Sequence, residues 1–256
     1  MLLRSILNFS PSDQKPFSAT CLFLIHAVIG LCRIKLRPKL TKALFSILFT
    51  LSTFAVAIEF QPRLFELVAK HFGKDAVERL IAWQELARNT SGADIEKLTR
   101  VNDFFNKARF VSDQELWKAE DYWATPVELL ARNAGDCEDY AIAKYFTLIA
   151  QGVDEDKLQI SYVKAIELGQ AHMVLAYYET PESIPLILDN IDPLIKPADQ
   201  RPDLEPVYSF NGRGLWLSRF SKENAKRLSG PEKIDSWNDM IRRQGVMLMT
   251  PSEPPN

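Results

Sequence analysis

Beyond residue 60 the apolar pattern changes period once. Up to Gly152 apolar residues recur every three or four positions; after it they alternate or run together over short stretches. From Gln61 to Asn89 the spacing predicts helix, with Asp75 and Glu78 set as an N-cap and its N3 partner. Val77, Leu80, Ile81, Trp83, Gln84 and Leu86 follow. Asp94 to Phe110 predicts a second amphipathic helix, with Ile95, Leu98, Val101, Phe104 and Phe105 on one face. Thr125-Pro126-Val127-Glu128 is a helix start, with a capping hydroxyl, a proline in the first turn and a glutamate three residues on. That helix ends near Asn133-Ala134-Gly135. Asp136 then caps a longer helix with Ala141, Tyr145, Leu148 and Ile149 inward, closed by Gly152.

The second half predicts strands at Leu158–Ile166, Ala171–Tyr178, Leu186–Leu188, Glu205–Phe210 and Gly214–Ser218. Asn211-Gly212 marks a hairpin turn, lengthened by Arg213. A last helix is expected over Pro231–Arg243, with Ile234, Trp237, Met240 and Ile241 inward, and a disordered tail over Pro251–Asn256. Helices first and strands later predict an α+β domain, its sheet packed on the helix that begins at Cys137. Residues 58–250 are expected to form this single domain.

The N-terminal segment follows other rules. Residues 43–57 are almost wholly apolar, preceded by Arg33, Lys35, Arg37, Lys39 and Lys42 and ending Ala55-Val56-Ala57. A basic region, an apolar stretch and small residues two apart make an export signal, with cleavage expected after Ala57. A second apolar run, Cys21 to Cys32, is too short to span a bilayer comfortably. No methionine lies between Met1 and Met173, yet the signal pattern points to a start near residue 36. A membrane-anchored N-terminus is the alternative. The expected location is the periplasm.

Charge sharpens this division. Residues 1–57 carry seven Lys/Arg and one acid, so the rest carries 24 basic and 32 acidic residues. That acidic balance argues against a nucleic-acid binder. With Cys21 and Cys32 removed alongside the signal, Cys137 is the one cysteine left. A lone thiol cannot form an internal disulfide, so it is either buried and inert or reactive.

Cys137 opens its helix within Gly135-Asp136-Cys137-Glu138-Asp139-Tyr140, where unpaired amides and the helix dipole favour a thiolate. His172 and Asp189 lie in strand-like stretches downstream. An imidazole can take the thiol proton and return it to a leaving amine, and an acid can hold the other ring nitrogen. Asn190 competes with Asp189 for that last role; Asp189 is preferred because it directly ends a strand. His71 and His26 look incidental. The acids Asp136, Glu138 and Asp139 oppose a thiolate by repulsion. Helix capping explains them; so does a hard cation such as calcium, which takes six to eight oxygen ligands. No EF-hand loop is present, and Asp154-Glu155-Asp156 reads as a solvated turn. Trp123, ahead of the cysteine, is a candidate oxyanion donor through its ring N–H, with core packing the competing reading.

Taken together, Tyr122-Trp123 with Pro126, the Gly135–Tyr140 block, His172-Met173-Val174-Leu175 and Leu188-Asp189-Asn190 resemble the bacterial transglutaminase-like cysteine proteinases. The likeness runs from about Gln84 to Trp237. It implies a papain-like fold with Cys137, His172 and Asp189 as a triad. It implies cleavage of a large surface adhesin near its N-terminus, in an Ala-Ala-containing segment, which would disperse the biofilm. It implies dependence on Ca2+, with Asp136 and Glu138 matching calcium-linked acids and Asp139 a further ligand. It also implies sequestration by a LapD-like inner-membrane receptor for cyclic di-GMP. Two other functions stay open on the same residues: a true transglutaminase, in which an amine resolves the acyl-enzyme, and a non-catalytic periplasmic binding module.

Overall fold

The computed structural model describes residues 60–217, 226–230 and 234–248. The expected signal or anchor over 1–57, its cleavage site, Cys21, His26, Cys32 and the expected tail over 251–256 lie outside the described residues. No described helix is long and apolar enough to cross a membrane.

The helical first half contains α1 (Pro62–Phe72), α2 (Lys74–Arg88) and α3 (Asp94–Phe105). The single helix expected over 61–89 breaks at Gly73. This residue takes φ 83°, a left-handed value that glycine adopts without penalty, and its N–H closes α1 onto the Ala69 carbonyl. Gly73 is therefore the cap of α2, and Asp75 sits in its first turn instead. The buried stripe of α2 is Ala76, Leu80, Trp83 and Ala87, which turns Ile81 outward at 44% exposure. In α3 the stripe is Leu98, Val101, Asn102 and Phe105, and Ile95 is exposed. The helix stops at Phe105 rather than Phe110. Arg109–Phe110 leaves it as β1 and pairs in parallel with β2 (Ala134–Gly135). Next to β1 lies the single-turn helix α4 (Asp113–Leu116).

Helix α5 (Pro126–Arg132) carries the expected capping box. Thr125 Oγ1 accepts from the Glu128 amide at 3.2 Å, and a Glu128 carboxylate oxygen accepts from the Thr125 amide at 2.8 Å. Asn133, left-handed at φ 51°, ends it. Two residues of β2 then lead into α6 (Cys137–Ala150). This helix packs against α2, α3 and α5 and against the sheet strands β3 (Leu158–Ala165) and β4 (Gln170–Tyr177), so it is buried nearly all round. That is why it shows little one-sided periodicity in sequence.

The sheet is antiparallel and seven-stranded, in the order β6-β5-β4-β3-β7-β8-β9. Its other members are β5 (Leu186–Leu188), β6 (Lys196–Pro197), β7 (Leu204–Asn211), β8 (Gly214–Leu217) and β9 (Lys226–Ser229). The strands expected from alternation are present. β6 and β9 were not legible, being two and four residues with no apolar alternation of their own. Asn211 pairs with Gly214, so the hairpin loop is Gly212-Arg213, and the Gly212 amide donates to Tyr145 Oη on α6 at 2.9 Å. The last helix, α7 (Asp235–Leu248), runs five residues beyond the expected end. Trp237 and Met240 are buried, and Trp237 stacks on Phe146 of α6 at 5.7 Å between ring centres. Ile241, expected inward, is 39% exposed.

Register brings the second-half residues together. Val163 pairs with His172, and Leu175 with Leu188. Continuing the β4–β5 ladder would set Asp189 opposite Val174, one diagonal from His172 and on the same face. That face carries the cluster Val163, Ala165, Val174, Ala176, Tyr178, Ile187 and Leu204.

Candidate active site

Cys137 occupies the first position of α6, after an extended Asp136. It is the free cysteine among the described residues. Its neighbour Gly135 has no room for a side chain: a Cβ there would lie 2.5 Å from Asp139 Oδ2 and 2.8 Å from Leu129 Cδ1. The glycine is thus required by close approach.

His172 Nε2 lies 2.8 Å from Asp189 Oδ1, with both side chains buried. Of the two orienters the sequence offered, His172 is bonded to Asp189 and not to Asn190. Asp189 Oδ1 also accepts the Ile191 amide at 3.0 Å, and Oδ2 accepts from Arg201 Nη2 at 2.8 Å. Burial would raise this carboxyl; the hydrogen bond and charge of His172, the Ile191 amide and Arg201 together outweigh burial and hold it far below the usual carboxylate range. The Asp189 main-chain carbonyl accepts from Asn106 Nδ2 at 2.8 Å and from Lys144 Nζ at 3.1 Å. Lys144 is itself buried, and burial pulls its ammonium down to about 7 against the pull of Asp189.

The thiol is in a different state. Cys137 Sγ donates to Glu138 Oε2 at 3.1 Å, and among the described residues no hydrogen bond joins Cys137 to His172. The backbone of Met173, the residue after His172, favours the thiolate, which puts the thiol beside β4. Burial, then Glu138 and Asp136, push the thiol strongly upward, with the Met173 contact only partly offsetting them. The repulsion expected from the motif is therefore present.

The acids beside the thiol make no three-carboxylate group by themselves among the described residues. Both groups they enter are completed by Asp113 of α4. Asp113, Asp121 and Glu138 bring carboxylate oxygens within 4.8 Å of one another, as do Asp113, Asp136 and Asp139. Asp113 and Asp121 stand more than a dozen residues upstream and were missed; Asp113 reads locally as an ordinary acid at a helix start. Burial, then Asp136 and Asp121, raise Asp113 to about 7, and burial with Glu138 raises Asp136 to about 8. Asp113 Oδ1 and Asp136 Oδ1 are buried without a hydrogen-bond partner. Orphaned, mutually repelling carboxylate oxygens are a donor set that fits a hard divalent cation. Asp139 is the least available member. It is fully buried, and its oxygens accept the Ala124 amide at 2.6 Å and the Asp136 amide at 3.2 Å, stapling the Tyr122–Thr125 segment to the start of α6.

Trp123, the candidate oxyanion donor, spends its ring N–H elsewhere in this structure. Its ring N–H donates to Asp121 Oδ1 at 2.9 Å and its ring stacks on Phe210 at 5.6 Å, so the donor is already committed and the residue packs as core. His71 is exposed at the end of α1. A thiol at a helix start and an imidazole–carboxylate pair are the parts that nucleophilic chemistry on a carbonyl uses.

Comparisons with known proteins give the family. The profile of the bacterial transglutaminase-like cysteine proteinase family (BTLCP) matches residues 79–203. The solved structure of Legionella pneumophila LapG is 40% identical, with TM-score 0.61, over 71% of this chain and 95% of that one. Its EGTA-treated form is 41% identical, with TM-score 0.62, over 71% and 95%. Its calcium-bound form is 41% identical, with TM-score 0.60, over 70% and 97%. Among curated protein sequences, none matches. With that identity across nearly the whole of each solved relative, and with the thiol, imidazole and acids in these positions, the chain belongs to the bacterial transglutaminase-like cysteine proteinases.

Proposed function

We propose that this protein is a periplasmic, calcium-dependent cysteine endopeptidase that cuts a large cell-surface adhesin near its N-terminus and so releases it from the cell. The observation that carries the reading is the buried His172–Asp189 pair, together with the Cys137 thiol at the first position of α6. An ionised Asp189 accepts a hydrogen bond from His172 Nε2–H, which leaves Nδ1 as the base. His172 then removes the thiol proton as Cys137 Sγ bonds to the substrate carbonyl carbon. The same proton goes to the departing amine as the C–N bond breaks, and water splits the resulting thioester with His172 again as base. The Cys137 amide, at the first helical position, has no partner within the helix and suits a developing oxyanion.

Asp113, Asp136, Glu138 and Asp121 are the residues that would hold calcium, the ion carried by the calcium-bound form of Legionella pneumophila LapG. Bound there, the ion supplies positive charge that offsets the acids now raising the thiol. Without it, Glu138 holds the S–H proton. Regulation through sequestration by a LapD-like inner-membrane receptor for cyclic di-GMP completes the proposal.

The test is to mix purified protein with N-terminal fragments of exported adhesins from the same cell, with calcium and with EGTA. Calcium-dependent cutting that Cys137→Ala abolishes is the expected result. Incorporation of a labelled amine without cutting would replace the protease by a transglutaminase. Unchanged adhesin processing with Cys137→Ala would leave a binding module.

A further inference from the structure

Asp189 can serve His172 only if its carboxylate stays turned toward the ring, and packing alone does not ensure this. A cavity of about 110 Å3 borders His172, Asp189 and Arg201, lined further by Leu168, Ile191 and Leu204. Beside open space, a carboxylate is free to rotate unless bonded. The main chain of Asp189 is pinned through its carbonyl by Asn106 and Lys144, but those contacts leave the side-chain torsion unset.

Arg201 sets it. The residue follows β6, whose pairing with β5 (Leu186 with Pro197) carries the chain back alongside Asp189. Its guanidinium is 4% exposed and oriented by Asp203: Nε lies 3.0 Å from Asp203 Oδ1, and Nη2 lies 2.8 Å from Asp203 Oδ2. The same Nη2 donates to Asp189 Oδ2 at 2.8 Å. A planar guanidinium aimed by one carboxylate fixes the direction of its bond to another. Nη1 has no partner, so Arg201 is held from the Asp203 side and spends its one remaining contact on Asp189.

We propose that Arg201, aimed by Asp203, is a positioning residue for the proteolytic reaction, locking Asp189 so that its Oδ1 faces His172. The chain of contacts runs His172–Asp189–Arg201–Asp203 and extends the triad by two residues on the side away from the thiol. The inference rests on the triad reading. The charged and polar groups facing Asp189 are His172 from β4, Lys144 from α6, Asn106 after α3 and Arg201 from the segment before β7. Among the described residues, Arg201 and His172 bond its side-chain oxygens with their own side chains, and Ile191 does so with its amide.

The test uses the full calcium-loaded chain and iodoacetamide, so that no adhesin is needed. The rate of Cys137 alkylation is followed against pH in the wild type, Arg201→Gln, Arg201→Lys and Asp203→Asn, alongside thermal melting. Arg201→Gln should slow alkylation near neutral pH on the order of 10- to 100-fold and change the shape of the profile. Arg201→Lys should recover part of the loss, and Asp203→Asn should fall between. If Arg201→Gln does not fold, Asp203→Asn, whose side chain is partly exposed, carries the same comparison. A wild-type profile in the variants overturns the inference and leaves the triad reading intact. So does a slower rate that keeps the wild-type profile shape, tracks a lowered melting temperature and is not recovered by lysine. A wild-type thiol no more reactive than a free cysteine, with no histidine-dependent limb, would instead sink the triad reading itself.

Discussion

His172 bonds Asp189 through Nε2, at 2.8 Å. In the proposed reaction this leaves Nδ1 for the thiol, and Asp189 then selects the tautomer that accepts the Cys137 proton. Asp189→Asn should retain the fold yet lower kcat by roughly 1,000- to 10,000-fold, because an amide can hold the wrong tautomer. Single-turnover cleavage with His172→Ala as the reference measures it; activity within tenfold of wild type would remove Asp189 from the mechanism.

Asp113 predicts a calcium effect from outside the Gly135–Tyr140 motif. It belongs to both acid groups, and its Oδ1 lacks a partner. Asp113→Asn should weaken calcium binding by at least about tenfold while leaving the unloaded fold in place. Calorimetric titration of the EGTA-stripped protein reads it directly, and an unchanged affinity would move the cation elsewhere.

The depressed carboxyl of Asp189 predicts acid sensitivity. Its folded pKa lies below the unfolded value of about 3.9. Between these values the unfolded chain binds the extra proton, so the stabilisation is complete above pH 4 and is lost as pH falls through the folded pKa. Urea melts from pH 7 down to pH 2 should steepen in the wild type at the acid end, and Asp189→Asn should lack that component.

Gly135→Ala tests the steric argument at the motif. A methyl group there meets Asp139 and Leu129 at under 3 Å, so the Asp139 staple must shift. The expected cost is about 1–3 kcal/mol, together with lost activity even where the variant folds. Unaltered melting and turnover would mean that the α6 start tolerates displacement.

The sequence by itself was enough for the helix starts at Thr125 and Asp136, whose caps are local bonds over three residues, and for the main strands, whose side chains alternate. It also singled out Cys137, His172 and Asp189, since so few residues of those types are suitably placed. It misjudged Gly73, where one left-handed residue splits a continuous apolar pattern, and the outward isoleucines at 95 and 241, because a helix pattern does not state which stripe neighbours will cover. Only the tertiary structure decided which groups meet across long loops. Asp113 joins the acids of α6, the Trp123 N–H is committed to Asp121, and Arg201 reaches Asp189. None of these is encoded in spacing, because each depends on where the β1–β2 pairing, the β4–β5 register and the β6 return place separate segments in space.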